Sequence, residues 1–241
     1  MTPTAALEEV RRATLKEAGR EPGEPSPAGL RRLKMRVPAV RTRLKQGYSF
    51  LDGTPTQILD SWHYIYNQTD LYEVAHQAIY YYQYRSLSRT EFNKVRQWIN
   101  RCDCWEHSDG LSKVYAQVFE ENSDWVMPWY VKWNADRNPW KRRQSVVGLL
   151  EYARKRKIVQ PFEVLIGFVE PLLADEDYYV QKGVGWTLRE IYNLYPAETL
   201  TFIEAHLGAI DPLAWPAATE KLNKKTKTPL VAARKRLREQ H

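Results

Sequence analysis

Cysteine is nearly absent from this sequence. There are two among 241 residues, at positions 102 and 104, which excludes a disulfide-stapled scaffold and points to a reducing compartment. The C-x-C pair has His107 close behind, but no second ligand pair follows anywhere in the chain, so neither a metal nor a cofactor is expected. Long apolar runs are missing too. None approaches the roughly 18 residues that cross a bilayer, and "MTPTAALEEVRRATLKEAGR" lacks the basic-then-apolar order of a secretory leader. A cytoplasmic protein with no membrane partner is expected. There is no glycine-rich phosphate loop, H-E-x-x-H or G-x-S-x-G, so the chemistries those motifs carry have no foothold.

What is present is a 43% hydrophobic chain with nine tryptophans, fifteen tyrosines and a net charge of +7. That is enough apolar material for a sizeable core. The charge is segregated. Residues 1–46 hold eleven Lys/Arg against five Asp/Glu, residues 132–157 nine against two, and residues 219–241 eight against two, while the two intervening stretches are acidic. Three basic blocks with abundant aromatics point to a polyanion, nucleic acid first, and to association with the nucleoid.

The apolar pattern is helical. "EVAHQAIYYYQYR", "EFNKVRQWINRC" and "EVLIGFVEPLL" repeat apolar residues every three or four positions, and nowhere is there the strict alternation of a half-buried strand. Residues 1–28 read as a helix followed by the Pro/Gly-rich linker "EPGEPSPA", and residues 29–241 as one domain with a basic C-terminal tail. "ADRNPWKRRQSVVGLL" from Ala135 is echoed 39 residues later by "ADEDYYVQKGVGWTL" from Ala174, and more weakly by "AIDPLAWPAA" around Asp211. A period near 40 built of paired helices is the signature of HEAT-like repeats, so the expected architecture is an all-α solenoid, a superhelix with a concave basic face. Each unit opens with an acidic or Asn-Pro cap and a cation in its first turn, a combination that suits phosphates.

In "RCDCWEHSDGLSKVY", Trp105 and Asp109 stand four apart, on one face of a helix. The residues alone leave two readings: a packed indole beside a solvated acid, or a site for something flat-sided and cationic. Here the sequence resembles the AlkD-like alkylpurine DNA glycosylases, from about residue 30 to residue 225. The likeness is carried by "YYVQKGVGWTLREIYNLYP", "CWEHSDGLSKVYAQVF" and "DRNPWKRRQSVVGLL", and more faintly by "LKMRVPAVRTRLKQ". The family's functional trio falls on Trp105, Asp109 and Trp186. The resemblance implies a monomeric repair enzyme that hydrolyses the N-glycosidic bond of cationic N3- or N7-alkylpurines in double-stranded DNA.

The chemistry fits those roles. An alkylated purine is already positively charged and leaves neutral, so what needs stabilising is the oxocarbenium-like sugar, a task for a carboxylate such as Asp109. Indoles at Trp105 and Trp186 would clasp the cation and sugar. Arg143 matches a family arginine near the lesion phosphate, and Lys182 and Arg189 flank Trp186 at helical spacing. All three are expected to contact phosphates, without reading sequence. The other seven tryptophans are expected to pack. Enzymes that work on a base commonly flip it into a pocket, whereas the resemblance implies a lesion left stacked and tolerance of bulky adducts; the residues do not choose. The family often carries a second Trp before the one matching Trp105, and here that position is Cys104. The rival reading is a non-catalytic HEAT-repeat module that binds duplex or branched DNA.

Overall fold

The computed structural model describes residues 1–27 and 29–239. Ala28, at the end of the segment read as a linker, and Gln240 and His241 of the tail lie outside the described residues, as does the side chain of Arg238. Thirteen α-helices and four short 3₁₀ turns make up the described residues, with isolated bridges such as Pro25 to Arg31 but no strand among them. The all-α expectation holds. No helix among the described residues is long and apolar enough to cross a membrane.

Two compact units are present, residues 1–114 and 115–241. The first contains α1 (Pro3–Ala18), α2 (Val37–Lys45), α3 (Pro55–Gln68), α4 (Tyr72–Tyr82), α5 (Arg89–Val95) and the start of α6 (Trp105–Glu121). Its helices begin where sequence chemistry demands. Thr54 and Ser88 form capping boxes with Gln57 and Glu91, satisfying N–H groups that a helix start otherwise leaves open. Trp62, Tyr66, Trp98, Ile65 and Ile79 fill the core. Helix α1 packs into this unit: Ala6 and Val10 are buried, Arg11 pairs with Asp70, and the Gln77 amide donates to Thr14.

The second unit continues α6 and adds α7 (Ser123–Asn134), α8 (Pro139–Leu150), α9 (Phe162–Val169), α10 (Tyr178–Tyr192), α11 (Pro196–Ala205), α12 (Trp215–Ala218) and α13 (Lys224–Glu239). The 39-residue echo is a structural repeat. Asn138 caps α8 through the Trp140 N–H, and Asp177 caps α10 through the Tyr179 and Val180 N–H groups. Two residues earlier, Asp136 and Asp175 each accept the N–H of the capping residue, both at 2.9 Å. The aromatics Trp140 and Tyr179 meet with ring centroids 4.7 Å apart, and Arg142 forks onto Asp175 from the preceding repeat. Glycine permits close approach at one point in α10: a Cβ on Gly185 would lie 2.3 Å from the Ala214 carbonyl oxygen, a backbone atom.

Candidate functional site

Helix α6 places Trp105 at its first position and Asp109 one turn on. Of the nine tryptophans, all among the described residues, only Trp105 is exposed, at 51%. Trp62, Trp98 and Trp133 are buried; Trp125, Trp129, Trp140, Trp186 and Trp215 are half-buried. Asp109 is half-buried.

The turn that carries this pair is held from three sides. Arg32 forks onto Glu106 at 3.0 and 3.3 Å and lies 3.9 Å over the Tyr72 ring. His107 is fully buried and stacks on Tyr72 at 4.4 Å, nearly parallel, with Nε2 3.3 Å from the Tyr72 carbonyl oxygen. One turn further, Gly110 lets α6 press on α4: an added Cβ would meet the Ile79 side chain at 2.9 Å, and Gln83 donates to the Gly110 carbonyl. Burial pushes His107 down to about 3 and the Cys104 thiol up to about 12. Both are neutral at ordinary pH.

In the second unit Trp186 sits on α10, half-buried. Its N–H donates to the Glu151 carbonyl at 2.8 Å, its ring lies 5.2 Å from Tyr152, and the Arg189 guanidinium lies 4.5 Å over it. Glu151 closes α8 with φ +53°, a left-handed value that costs a non-glycine residue energy. Glu190 in turn accepts the Ala153 N–H at 2.9 Å, so the 151–153 segment is pinned to α10. Tyr152 and Glu151 carry no sequence motif. Only their tertiary contacts identify them.

The expected phosphate contacts are placed unevenly. Lys182 is exposed on α10. Arg189 is tied to Glu190 and Glu220 at 2.9 and 3.0 Å; against the cost of its burial, these carboxylates raise its pKa and keep it charged. Arg143 is only 4% exposed and donates to the Tyr179 carbonyl at 2.8 Å, its side chain lying against Gly183. Other members of the second basic block are also engaged internally: Lys141 with Asp136, Arg142 with Asp175 and Arg156 with Glu120. In the third block, Arg234 is buried and donates to the Leu207 and Ile210 carbonyls, whereas Lys224, Lys225, Lys235 and Arg236 on α13 are exposed.

Comparison with known proteins places this architecture. Two solved structures from Streptococcus mutans share it. One is AlkD2, at 17% identity and a TM-score of 0.61, covering 90% of this chain and 99% of that one. The other is smu.31 of strain UA159, at 17% identity and a TM-score of 0.60, covering 92% and 99%. At this identity the likeness is one of fold, the helical-repeat fold of AlkD-type proteins. No curated protein sequence matches the chain. The model of one protein family, described as DNA alkylation repair enzyme, matches residues 7–222, which takes in α1 together with the whole trio. The chain therefore belongs to the DNA alkylation repair enzyme family.

Proposed function

We propose that this protein is a monofunctional DNA glycosylase that hydrolyses the N-glycosidic bond of cationic N3- or N7-alkylpurines, 3-methyladenine and 7-methylguanine among them, in duplex DNA. The observation that carries this reading is the exposed indole of Trp105 one helical turn from Asp109, on a helix start fixed by Arg32, Glu106, Tyr72 and His107. Leaving so large an apolar side chain in water forgoes on the order of 1.5–3 kcal/mol of burial, which a ring meant for contact with a ligand recovers on binding.

The alkylated base leaves neutral as the C1′–N bond breaks, and positive charge moves onto the sugar. The Asp109 carboxylate stabilises that charge and orients a water molecule for attack on C1′. The water oxygen bonds to C1′ and its proton passes to the carboxylate or to solvent, giving an abasic site and the free base. Trp105 lies against the sugar and the cationic nucleotide. We assign Trp186 a second contact, on the strength of the family motif and of a half-exposed ring whose N–H is anchored to Glu151. Lys182, Arg143 and Arg189 are assigned to phosphate contacts on the same motif match. For Arg143 and Arg189 this requires that the Tyr179 and Glu220 partners be exchanged for phosphate. An indole displayed at a helix tip suits a lesion that stays stacked and is gripped through its sugar, and bulky N3 or N7 adducts are then substrates.

Release of 7-methylguanine and 3-methyladenine from alkylated duplex DNA tests the reading. Asp109→Asn should abolish excision and retain DNA binding, and Trp105→Ala should lower excision with little loss of stability. The exposed cations of α13 supply the one observation favouring the second reading, a non-catalytic DNA-binding module, since they attract DNA without any contribution from Asp109. That reading takes over if the unaltered protein binds the duplex and releases neither base.

A further inference from the structure

The first turn of α6 holds a second set of chemistry-bearing side chains that glycosidic hydrolysis does not use. One ligand atom from each of Asp103, Cys104 and His107 lies within 4.8 Å of the other two. The sequence pattern offered only a C-x-C with a nearby histidine; the fold adds Asp103 as a third donor. We propose that Asp103, Cys104 and His107 form a binding site for a thiophilic divalent cation of the zinc class, with the fourth coordination position open to water.

Three features support the assignment. First, His107 is fully buried, and its Nδ1 has no hydrogen-bond partner while Nε2 faces the Tyr72 carbonyl. A histidine whose far nitrogen donates to a backbone carbonyl presents the lone pair of the other nitrogen, the arrangement metal-bound imidazoles adopt. A buried ring nitrogen without a partner is otherwise unfavourable. Second, the carboxylate is oriented by its own neighbour: Asp103 Oδ2 accepts the Ser26 hydroxyl at 2.6 Å, leaving Oδ1 for a cation. Third, the donor set selects its ion. Sulfur, imidazole nitrogen and one carboxylate suit zinc, whereas calcium and magnesium take oxygen ligands.

Size and charge both fit. With zinc bonds of about 2.0–2.3 Å, tetrahedral ligand atoms stand roughly 3.3–3.8 Å apart, so the present spread closes by about 1 Å of side-chain rotation. A thiolate and a carboxylate neutralise the dication, and the thiol proton leaves to solvent on coordination. Asp103 and Cys104 are half-buried, which leaves a route in from solvent. An ion here would tie the segment around Ser26, the start of α4 and the start of α6 into one unit. It would do so at the turn between Cys104 and His107 where Trp105 projects.

The experiment is titration of the tag-free, metal-stripped full chain with Co²⁺, followed by Zn²⁺ competition, read by absorption. One equivalent of Co²⁺ should produce a saturable thiolate-to-cobalt charge-transfer band that Zn²⁺ removes. Cys104→Ser should abolish the band, and Asp103→Asn should weaken binding about tenfold or more; both positions are half-buried, and circular dichroism verifies that the variants fold. Absence of a saturable band in the unaltered protein, its persistence in Cys104→Ser, or unchanged affinity in Asp103→Asn would overturn the site. None of these readouts depends on glycosylase activity.

Discussion

The indole N–H of Trp186 is held by the carbonyl oxygen of Glu151, a residue 35 positions earlier whose backbone sits at φ +53°. The strained residue closes α8 in a geometry that aims its carbonyl at α10. Conformational energy spent at the end of one helix therefore orients a ring on another.

That strain is measurable. Glu151→Gly and Glu151→Ala lose the same carboxylate and its pair with Lys155, but only glycine relaxes the left-handed backbone. In chemical denaturation Glu151→Gly should be the more stable of the two by about 1–2 kcal/mol. The opposite order would show that the backbone at 151 is not strained.

A second backbone contact lies immediately before the ring. Gly185→Ala would put a methyl 2.3 Å from the Ala214 carbonyl oxygen and 2.8 Å from its Cα. Because no side chain can rotate away, the 214 segment must move, at a cost of about 1–3 kcal/mol or more. The denaturation midpoint should fall accordingly. An unchanged midpoint would mean that the 214 segment yields freely.

Acid should weaken the first unit through His63. Burial first, and Lys94 second, lower its pKa, against the opposing pull of Asp60, and its Nδ1 accepts the Trp98 indole N–H at 3.1 Å. Protonation forfeits that bond. With the folded pKa below the unfolded value of about 6.5, the contribution is complete above that pH and is lost as pH falls from there towards the folded value. Urea midpoints between pH 7.5 and 5 should decline, and His63→Gln, which keeps an acceptor and cannot titrate, should flatten part of the decline. An identical profile in the variant would exclude His63 as a source.

The cations of α13 give a salt test. Replacing Lys224, Lys225, Lys235 and Arg236 by Gln should weaken DNA binding most at low salt. The log–log slope should become shallower by about 0.9 for each phosphate that the variant no longer neutralises. A slope equal to that of the unaltered chain would remove α13 from the DNA interface.

The helical class and the 39-residue repeat were legible in the sequence because both rest on local chemistry. Apolar spacing sets the helices, and Asn138 and Asp177 cap through N–H groups two or three residues away. The exposure of Trp105 and the packing of Trp62 and Trp98 agreed with the sequence reading once the resemblance singled out Trp105. The fate of the charges was not legible. Arg142 finds Asp175, Arg156 finds Glu120 and Arg143 finds the Tyr179 carbonyl across 33–36 residues of chain, so a block that reads as free positive charge is largely consumed by the fold. Tyr152 and Glu151 were invisible for the same reason, since their partners lie on another helix.

The paired caps also limit how long the repeat array can grow. In the first repeat Arg142 donates to the Asp136 carbonyl and reaches on to Asp175 of the next. Thirty-nine residues later the matching side chain is Gln181, which donates to the Asp175 carbonyl in the same way but carries no charge to offer a following unit. A single arginine-to-glutamine difference thus acts as a terminator. It completes the local turn and withdraws the connector, so a further copy of this unit spliced in after α10 would arrive with an acid ready and no cation to receive it.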